Sequence, residues 1–320
     1  MLQNVLKELR EPAIWFRRQL DGKPSMNKLG GRPTLPSGIE WPRQSQVNTP
    51  LHFLAQIDLS TLPPTPLHDD PNAPILPRRG LLFFFADMEE QMLWNDNGGP
   101  FANTRVIFAN ETGPERIPPQ DTPDILHTFG KRAGGFEPGI TEYPPLTLEP
   151  HVIDTFPSDI WQDATCPAKV RPTAWMRAIA RRRATYAEAA SAAMVASVER
   201  AIGASIPVFK QGTRAQVFKQ VFKAGNPPEY FLELHMRDGT IRRELECPLH
   251  QMLGFGMNIQ GTAEDMHGDG TILLLQIDSD VNRVHDEFMF CDDGAAQYWI
   301  EPADLAEGKF DKAWATTEGG

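Results

Sequence analysis

The chain has 320 residues, of which 41% are hydrophobic and 23% are charged, as is normal for a protein that folds around a sizeable core. Its formal net charge of −11 opposes non-specific attraction to nucleic-acid phosphates and to anionic membranes, because the long-range field has the wrong sign. The first segment, MLQNVLKELREPAIWF, mixes charges into its apolar positions, so we expect no secretory signal there. Three widely spaced cysteines form no paired motif, and we expect reduced thiols in the cytoplasm.

The first half of the chain predicts short elements joined by proline-rich loops. Residues 2–9 place their apolar side chains on one face of a helix, which Pro12 interrupts. Residues 63–77 are too rich in proline for a regular element and predict a loop. Proline pairs make residues 96–170 mostly irregular, with strand pieces such as TRVIFA at 104–109.

The second half predicts two helices followed by a hairpin. Apolar residues recur at helical spacing over 175–202, and a shorter helix is predicted over 213–223. Residues 230–247 read as two strands around Asp238-Gly239, because a tight hairpin turn needs positive φ at both central residues. A loop-rich, partly helical region therefore separates the strands of the two ends.

The two ends of the chain repeat each other. HFLAQID at 52–58 returns as TILLLQID at 271–278, and the neighbouring parts follow in the same order. Each copy reads as a Leu-Gly turn, a strand ending in Gln-Ile-Asp, a loop, a glycine, an aromatic strand and an acid. We interpret the segments 28–90 and 250–305 as duplicated β-units.

The repeat places a glutamine and an aspartate at matching positions. Strict alternation along the strand puts Leu54, Gln56 and Asp58 on one face, with Phe53, Ala55 and Ile57 on the other. In the second copy Gln276 and Asp278 repeat the polar pair. On one interpretation these residues end their strands and bind loop amides. On the other, the halves share a cleft where paired carboxylates bind a cation or act as acid and base.

Other side chains extend the second interpretation. Trp41 and Trp299 flank the repeated motifs and would form the apolar walls of such a cleft. His250 lies in the second Leu-Gly motif, where an orienting hydrogen bond is the simpler role. The segment AEDMHGDGT at 263–271 lacks the ligand spacing of a calcium loop and favours an exposed acidic turn, so we expect no metal site. No zinc-hydrolase or nucleophile motif is present.

Six segments resemble the motifs of a known family. They are LGGRPTLPSGIEWP at 29–42, LHFLAQIDLSTLP at 51–63, RGLLFFF at 79–85, HQMLGFGMNIQG at 250–261, LLLQIDSD at 273–280 and DDGAAQYWIEPADL at 292–305. In this order they resemble the YwqG-like family of bacterial proteins, a domain family of unknown function. The resemblance implies one α+β domain built mainly of β-structure, and it supplies no catalytic residues. Some members are similar in setting to components of bacterial toxin systems, which implies an immunity or partner-binding role.

These observations together predict a single α+β domain over residues 1–320 that is mainly β, with duplicated β-units and a loop-rich, partly helical middle. They favour a non-enzymatic binding or protein-interaction module, with an immunity-type role as one form of it. The alternative is a hydrolase that uses Asp58 and Asp278 together with a divalent cation. We expect a protein partner, no cofactor, and neither nucleic acid nor membrane; the sequence does not specify a small-molecule ligand.

Overall fold

The structure is a computed structural model, and it describes residues 11–19, 24–63, 76–88, 101–125, 139–155, 231–235, 241–245, 250–257, 260–281, 286–288, 290 and 294–318. The helices predicted over 2–9, 175–202 and 213–223 lie outside these residues.

Strands dominate the described residues. They are β1 Glu11–Arg18, β2 Lys28–Leu29, β3 His52–Asp58, β4 Leu81–Ala86, β5 Thr104–Ala109, β6 Leu146–Thr155, β7 Phe231–His235, β8 Ile241–Leu245, β9 Gln251–Met252, β10 Ile272–Asp278, β11 Asp280–Val281, β12 Asp286–Phe288, β13 Ala295–Ile300 and β14 Trp314–Glu318. The helical elements are short: α1 Thr262–Gly268, α2 Pro302–Ala306, and the 3-10 turns Leu59–Thr61 and Phe310–Lys312.

Ten strands form one antiparallel sheet in the order β14-β13-β10-β9-β1-β6-β2-β3-β4-β5, which curls into a nearly closed barrel. Its two edge strands approach each other through aromatic contacts. Phe108 of β5 lies 5.4 Å from Phe310, between ring centroids, and Phe101 lies 6.1 Å from Trp314 of β14. The predicted hairpin is confirmed, since β7 and β8 pair antiparallel.

The predicted α+β class with a loop-rich, partly helical middle is wrong, because the described residues are mainly antiparallel β with few helices. Two central strands, β1 and β6, lie where we expected a helix end and irregular chain. Pro12 of β1 was interpreted as the interruption of a helix, and Pro150 of β6 lies in the stretch predicted to be mostly irregular. However, β9 pairs with β1 only at Ile14 and Trp15, and β2 pairs with β6 only near its start. Each proline therefore lies where its strand lacks a neighbour on one side, and the missing N–H costs no ladder bond.

The core has an inner and an outer part. The barrel interior is filled from both ends of the chain, by residues that include Leu54, Ile57, Leu82, Phe84, Leu274, Ile277, Ala296 and Tyr298. Phe84 of β4 meets Tyr298 of β13 edge to face across this interior, with 5.0 Å between ring centroids. A second set, the outer cluster, covers the other face of β3 and β4 and consists of Leu35, Trp41, Leu51, Phe53, Leu81, Phe83, Phe85 and Ala109.

The duplication extends to the register of the strands. Gln56 lies opposite Phe83 in the β3–β4 pair, and Gln276 lies opposite Gln297 in the β10–β13 pair. Both pairs carry an irregularity three residues into the first strand, so Leu54 and its counterpart have no direct partner. This bulge turns Leu54 into the interior and invalidates the strict alternation that grouped it with Gln56.

Candidate functional site

Gln56 is fully buried, and its side chain forms hydrogen bonds to nearby loops. Its Oε1 accepts from the Thr34 backbone N–H at 2.9 Å and from the Thr34 hydroxyl at 3.0 Å. Its Nε2 donates to the Met26 carbonyl at 3.0 Å. The side chain therefore fastens the chain on both sides of β2 to β3, and its polar atoms face no open site.

Gln276 does the same work in the second copy and is also fully buried. Its Oε1 accepts from the Met257 N–H at 2.7 Å and from the Gln297 Nε2 at 2.9 Å. Met257 follows β9 as Thr34 follows β2, so the same loop position is held in both copies. A polar residue inside this apolar strand is explained by the loop amide that it satisfies.

The residues opposite these glutamines are also equivalent in role. Lys28 pairs with Gln56 across β2 and β3, and its Nζ donates to the Arg32 carbonyl. Gln251 pairs with Gln276, and its Nε2 donates to the Phe255 carbonyl at 2.8 Å. In both copies a long polar side chain therefore holds the turn that follows the short strand, although lysine and glutamine differ in charge.

Both aspartates end their strands, as the first interpretation expects. Asp58 Oδ1 accepts from the Ser60 N–H at 2.9 Å and from the Ser60 hydroxyl at 2.7 Å, which caps the 3-10 turn. The Asp58 N–H donates to Asn27 Oδ1 at 2.7 Å. In the second copy the Asp278 N–H donates to His250 Nδ1 at 3.1 Å. Asn27 and His250 thus accept hydrogen bonds from equivalent backbone N–H groups in the two copies.

The fold does not bring Asp58 and Asp278 together. All pairings between β3 and β10 in the sheet order are antiparallel, and β9, β1, β6 and β2 lie between them. An odd number of antiparallel steps makes β3 and β10 run in opposite directions. Each aspartate is the last residue of its strand, so the two carboxylates lie toward opposite ends of the barrel. They do not share one cleft.

His250 is fully buried and both ring nitrogens are used. Because Nδ1 accepts from the Asp278 backbone, the proton lies on Nε2, which donates to Asp280 Oδ2 at 3.3 Å. Asp280 is itself only 4% exposed. With its lone pair committed to the backbone and no exposed face, this imidazole is arranged as an orienting hydrogen-bonder and not as a general base.

We expect the equivalence of His250 and Asn27 to appear in stability. His250→Asn keeps an acceptor near the Asp278 N–H and should lower the free energy of unfolding by about 1 kcal/mol. His250→Leu removes both hydrogen bonds in a buried site and should cost about 2–3 kcal/mol. Urea unfolding of both variants measures the difference, and equal losses would contradict the assigned role.

Trp41 and Trp299 are buried apart from each other, each within its own copy. Trp41 belongs to the outer cluster and its Nε1–H donates to the Leu51 carbonyl at 2.8 Å. The Trp299 Nε1–H donates to Thr316 Oγ1 at 2.9 Å, and its ring meets His267 edge-on at 5.0 Å. Both indoles cover the outside of a sheet and satisfy their N–H groups locally, so neither forms a wall of a shared cleft.

The acidic segment at 263–271 folds mostly as α1, where we expected an exposed turn. His267 is buried against the rings of Phe255 and Trp299, while Asp265 and Asp269 face outward. Within the described ranges, no three or more His, Cys, Asp or Glu side chains are grouped so that they could hold a metal ion.

Residues 27–318 match a family described as a domain of unknown function, DUF1963. The chain belongs to this family. No curated protein gives a significant match. In the part of this DUF1963 protein that the structure describes, no helix has the length and apolar character needed to cross a membrane.

Sequence reasoning missed several residues that hold the DUF1963 fold together. Asn27 and Lys28 stand next to the Leu-Gly motif, and only their alignment with His250 and Gln251 would have singled them out. The repeat contained this signal, because the pair before each Leu-Gly or Met-Leu-Gly turn is polar in both copies. His52 was also missed, since nothing at the matching position of β10 is polar.

His52 supplies a pH dependence. Its Nδ1 accepts from the Met88 N–H at 3.0 Å, so its Nε2–H donates to the Pro123 carbonyl at 2.9 Å. Burial lowers the pKa of His52 below its ordinary value, although the hydrogen bond to the Pro123 carbonyl acts to raise it. The unfolded chain therefore binds a proton first as the pH falls below about 6.5, and the fold loses stability between that pH and the lower folded pKa.

We expect this loss to approach at most about 1.4 kcal/mol per pH unit from this one group. Urea unfolding of the wild type and of His52→Gln at several values between pH 7.5 and 5 measures it. The wild type should lose more stability than the variant over this range, and parallel curves would contradict the role of His52.

Proposed function

We propose that this DUF1963 chain is a protein-binding module without catalytic activity, whose second copy faces a partner with a basic surface. The distribution of charge carries the proposal. Residues 250–320 contain 14 of the 42 acidic and 3 of the 31 basic residues, so their formal charge of −11 equals that of the whole chain. The remaining 28 acidic and 28 basic residues balance. Such a one-sided field steers and selects an oppositely charged partner.

The acids of this segment include several that are exposed and crowded. The exposed ones are Asp265, Asp269, Glu301, Glu307 and Asp311. Partial burial, followed by the negative charges of Asp304 and Asp269, raises the pKa of Glu301. Burial disfavours the charged form most, and the neighbouring carboxylates add repulsion to it. Cationic groups of a partner would relieve this repulsion, which supports a binding role over a structural one.

An aromatic pair, Phe101 and Trp314, supplies an apolar anchor, and Trp314 lies close to Asp311 along the chain. Phe101 is 42% exposed and meets the partly buried ring of Trp314 edge-on. Trp314 begins β14 directly after the turn that carries Asp311. Aromatic side chains surrounded by charged groups are typical of protein interfaces, where the aromatic centre gives affinity and the rim gives specificity.

The alternative function, a hydrolase with paired carboxylates, has less support. Asp58 and Asp278 end antiparallel strands and lie toward opposite ends of the barrel, and the Asp58 carboxylate caps the turn that follows its own strand. The immunity-type role implied by the YwqG-like resemblance is compatible with the proposal, since an immunity protein acts by binding another protein.

The test compares two variants of the full chain that lose the same number of carboxylates. Asp269→Asn with Glu301→Gln and Asp304→Asn neutralises the acidic surface of the second copy. The control, called the first-copy variant, is Glu40→Gln with Glu111→Gln and Asp124→Asn, which removes three carboxylates from the first copy and from the chain that follows it. Tagged wild type and variants are cross-linked in cells of the source organism, and the captured proteins are quantified. A captured protein is then purified, and its binding to the wild type and to each variant is titrated at low and high salt.

We expect a basic protein that the wild type and the first-copy variant capture and the second-copy variant loses. Its purified form should bind at least tenfold more weakly to the second-copy variant and more weakly in high salt. Removal of crowded charges should not lower the unfolding midpoint, so loss of capture cannot reflect unfolding. Equal capture by all three proteins, or binding that is insensitive to salt, would contradict the proposal.

A further inference from the structure

The order of strands in the sheet relates the two copies in a way that their sequence repeat does not reveal. β1 precedes the first copy along the chain but pairs with β9 of the second, and β6 precedes the second copy but pairs with β2 of the first. We propose that the chain is a tandem fusion of two units that exchange their first strands, so that each unit is the obligate binding partner of the other. This inference is independent of the proposed function.

The two first strands are equivalent by register. Ile14 of β1 lies opposite Met252, and Leu146 of β6 lies opposite Leu29. Met252 and Leu29 hold the same place in their units, since each follows the residue that pairs with Gln276 or Gln56. Ile14 and Leu146 are therefore matching positions. Hydrogen bonds repeat as well: Phe16 N–H donates to the His250 carbonyl at 2.8 Å, and Leu148 N–H to the Asn27 carbonyl at 2.9 Å.

The β1–β6 pair has the symmetry that this equivalence requires. Exchange of the units maps the pair Phe16–Pro150 onto Leu148–Arg18, which is itself a pair in the register. Arg17–Glu149 maps onto itself, so the pseudo-twofold axis passes through this pair. Arg17 Nη2 and Glu149 Oε2 lie 2.9 Å apart on that axis. An isologous contact of this kind is the form that a twofold dimer takes.

Chain order decides that the strands are exchanged. The first unit runs through β1, β2, β3, β4 and β5, and the second through β6, β9, β10, β13 and β14. A self-contained unit would pair β1 with β2 and β6 with β9. Instead each unit inserts its first strand next to the second strand of the other. Ala13, Ile14, Trp15 and Phe16 are fully buried there, so a unit without its neighbour would lose this packing.

The test uses the complete chain with a specific protease site placed between Ile125 and Gly139. The folded protein is cut, and the nicked form is compared with the uncut form by size-exclusion chromatography and by thermal unfolding over a hundredfold range of concentration. If unfolding is coupled to separation of the fragments, its midpoint rises with concentration, whereas that of the uncut chain stays constant.

We expect the nicked protein to elute at the mass of the whole chain and to unfold in one transition with a concentration-dependent midpoint. Two folded fragments that separate on dilution, or two transitions that ignore concentration, would overturn the inference. A second measurement, disulfide formation between the two units, tests the inference if the nicked protein precipitates. Lys28 and Thr147 lie opposite each other across β2 and β6. In the double variant Lys28→Cys with Thr147→Cys, oxidation before cutting should form a disulfide that holds the two fragments together on a non-reducing gel. Lys28→Cys alone is the control, and no joined band in the double variant would also overturn the inference.

Discussion

Gln276→Leu and Gln56→Leu are each expected to lower the free energy of unfolding by about 3 kcal/mol. Leucine has nearly the volume of glutamine, so packing changes little and the loss reports hydrogen bonds. Gln276 is the acceptor of the Met257 N–H, and Gln56 that of the Thr34 N–H. Removal of the partner of an inward-facing N–H costs about 1–3 kcal/mol, and each glutamine makes more than one such bond.

The control for this pair is Gln120→Leu, which makes the same chemical change at an exposed position. Its effect should stay within about 0.5 kcal/mol. Urea unfolding at neutral pH measures all three. A loss below about 1 kcal/mol in both buried variants would mean that the glutamines do not hold their loops, and their burial would then need another explanation.

Gly30→Ala is expected to cost about 3 kcal/mol or more. Gly30 has φ of +57°, where a side chain costs roughly 1 kcal/mol. An added Cβ would also lie 2.3 Å from the Pro144 carbonyl oxygen, a backbone atom just before β6. Relief of this overlap requires a shift of the contact between the units, and overpacking of that kind costs typically 1–3 kcal/mol more.

Two comparisons separate the steric cost from the conformational one. Gly38 has no positive φ, and nothing lies within 4 Å of an added Cβ, so Gly38→Ala should be neutral or slightly stabilising. Leu253 holds the place of Gly30 in the second unit with φ of +64°, so a side chain is tolerated there. If Gly30→Ala costs no more than about 1 kcal/mol in thermal or urea unfolding, the close approach of Pro144 is not a constraint.

The duplication could be predicted from the sequence because its motifs are short and consist of adjacent residues. Each Gln-Ile-Asp strand end and each Leu-Gly turn is a motif of a few adjacent residues that occurs in both copies, and the Asp238-Gly239 turn identified a hairpin by the φ values that it needs. These features depend on neighbours in the chain. They can be recognised without knowledge of the sheet, and the hairpin was confirmed because β7 and β8 pair antiparallel.

Long-range pairing could not be predicted in the same way. The sequence did not predict strands around Pro12 and Pro150, because only the sheet shows that the side on which each proline lacks an N–H faces a gap beside β9 or β2. The bulge at Leu54 is likewise invisible in an alternating apolar run. The direction of β10 relative to β3 depends on the four strands between them, so the sequence favoured separate strand ends for Asp58 and Asp278 but left a shared cleft open as the alternative.

The central claim is that the repeated polar residues hold the fold of each unit and do not form one shared site. Thermal unfolding of the wild type and of Asp58→Asn with Asp278→Asn, in EDTA and then in Ca²⁺, Mg²⁺, Mn²⁺ or Zn²⁺, tests it most directly. We predict that the unfolding midpoint of each protein does not change from one buffer to another. In every buffer, the midpoint of the variant should be lower than that of the wild type. A ligand that binds only the folded state adds about 2.7 kcal/mol at a hundred times its Kd. A cation-specific rise in the wild type that the double substitution abolishes would contradict the claim.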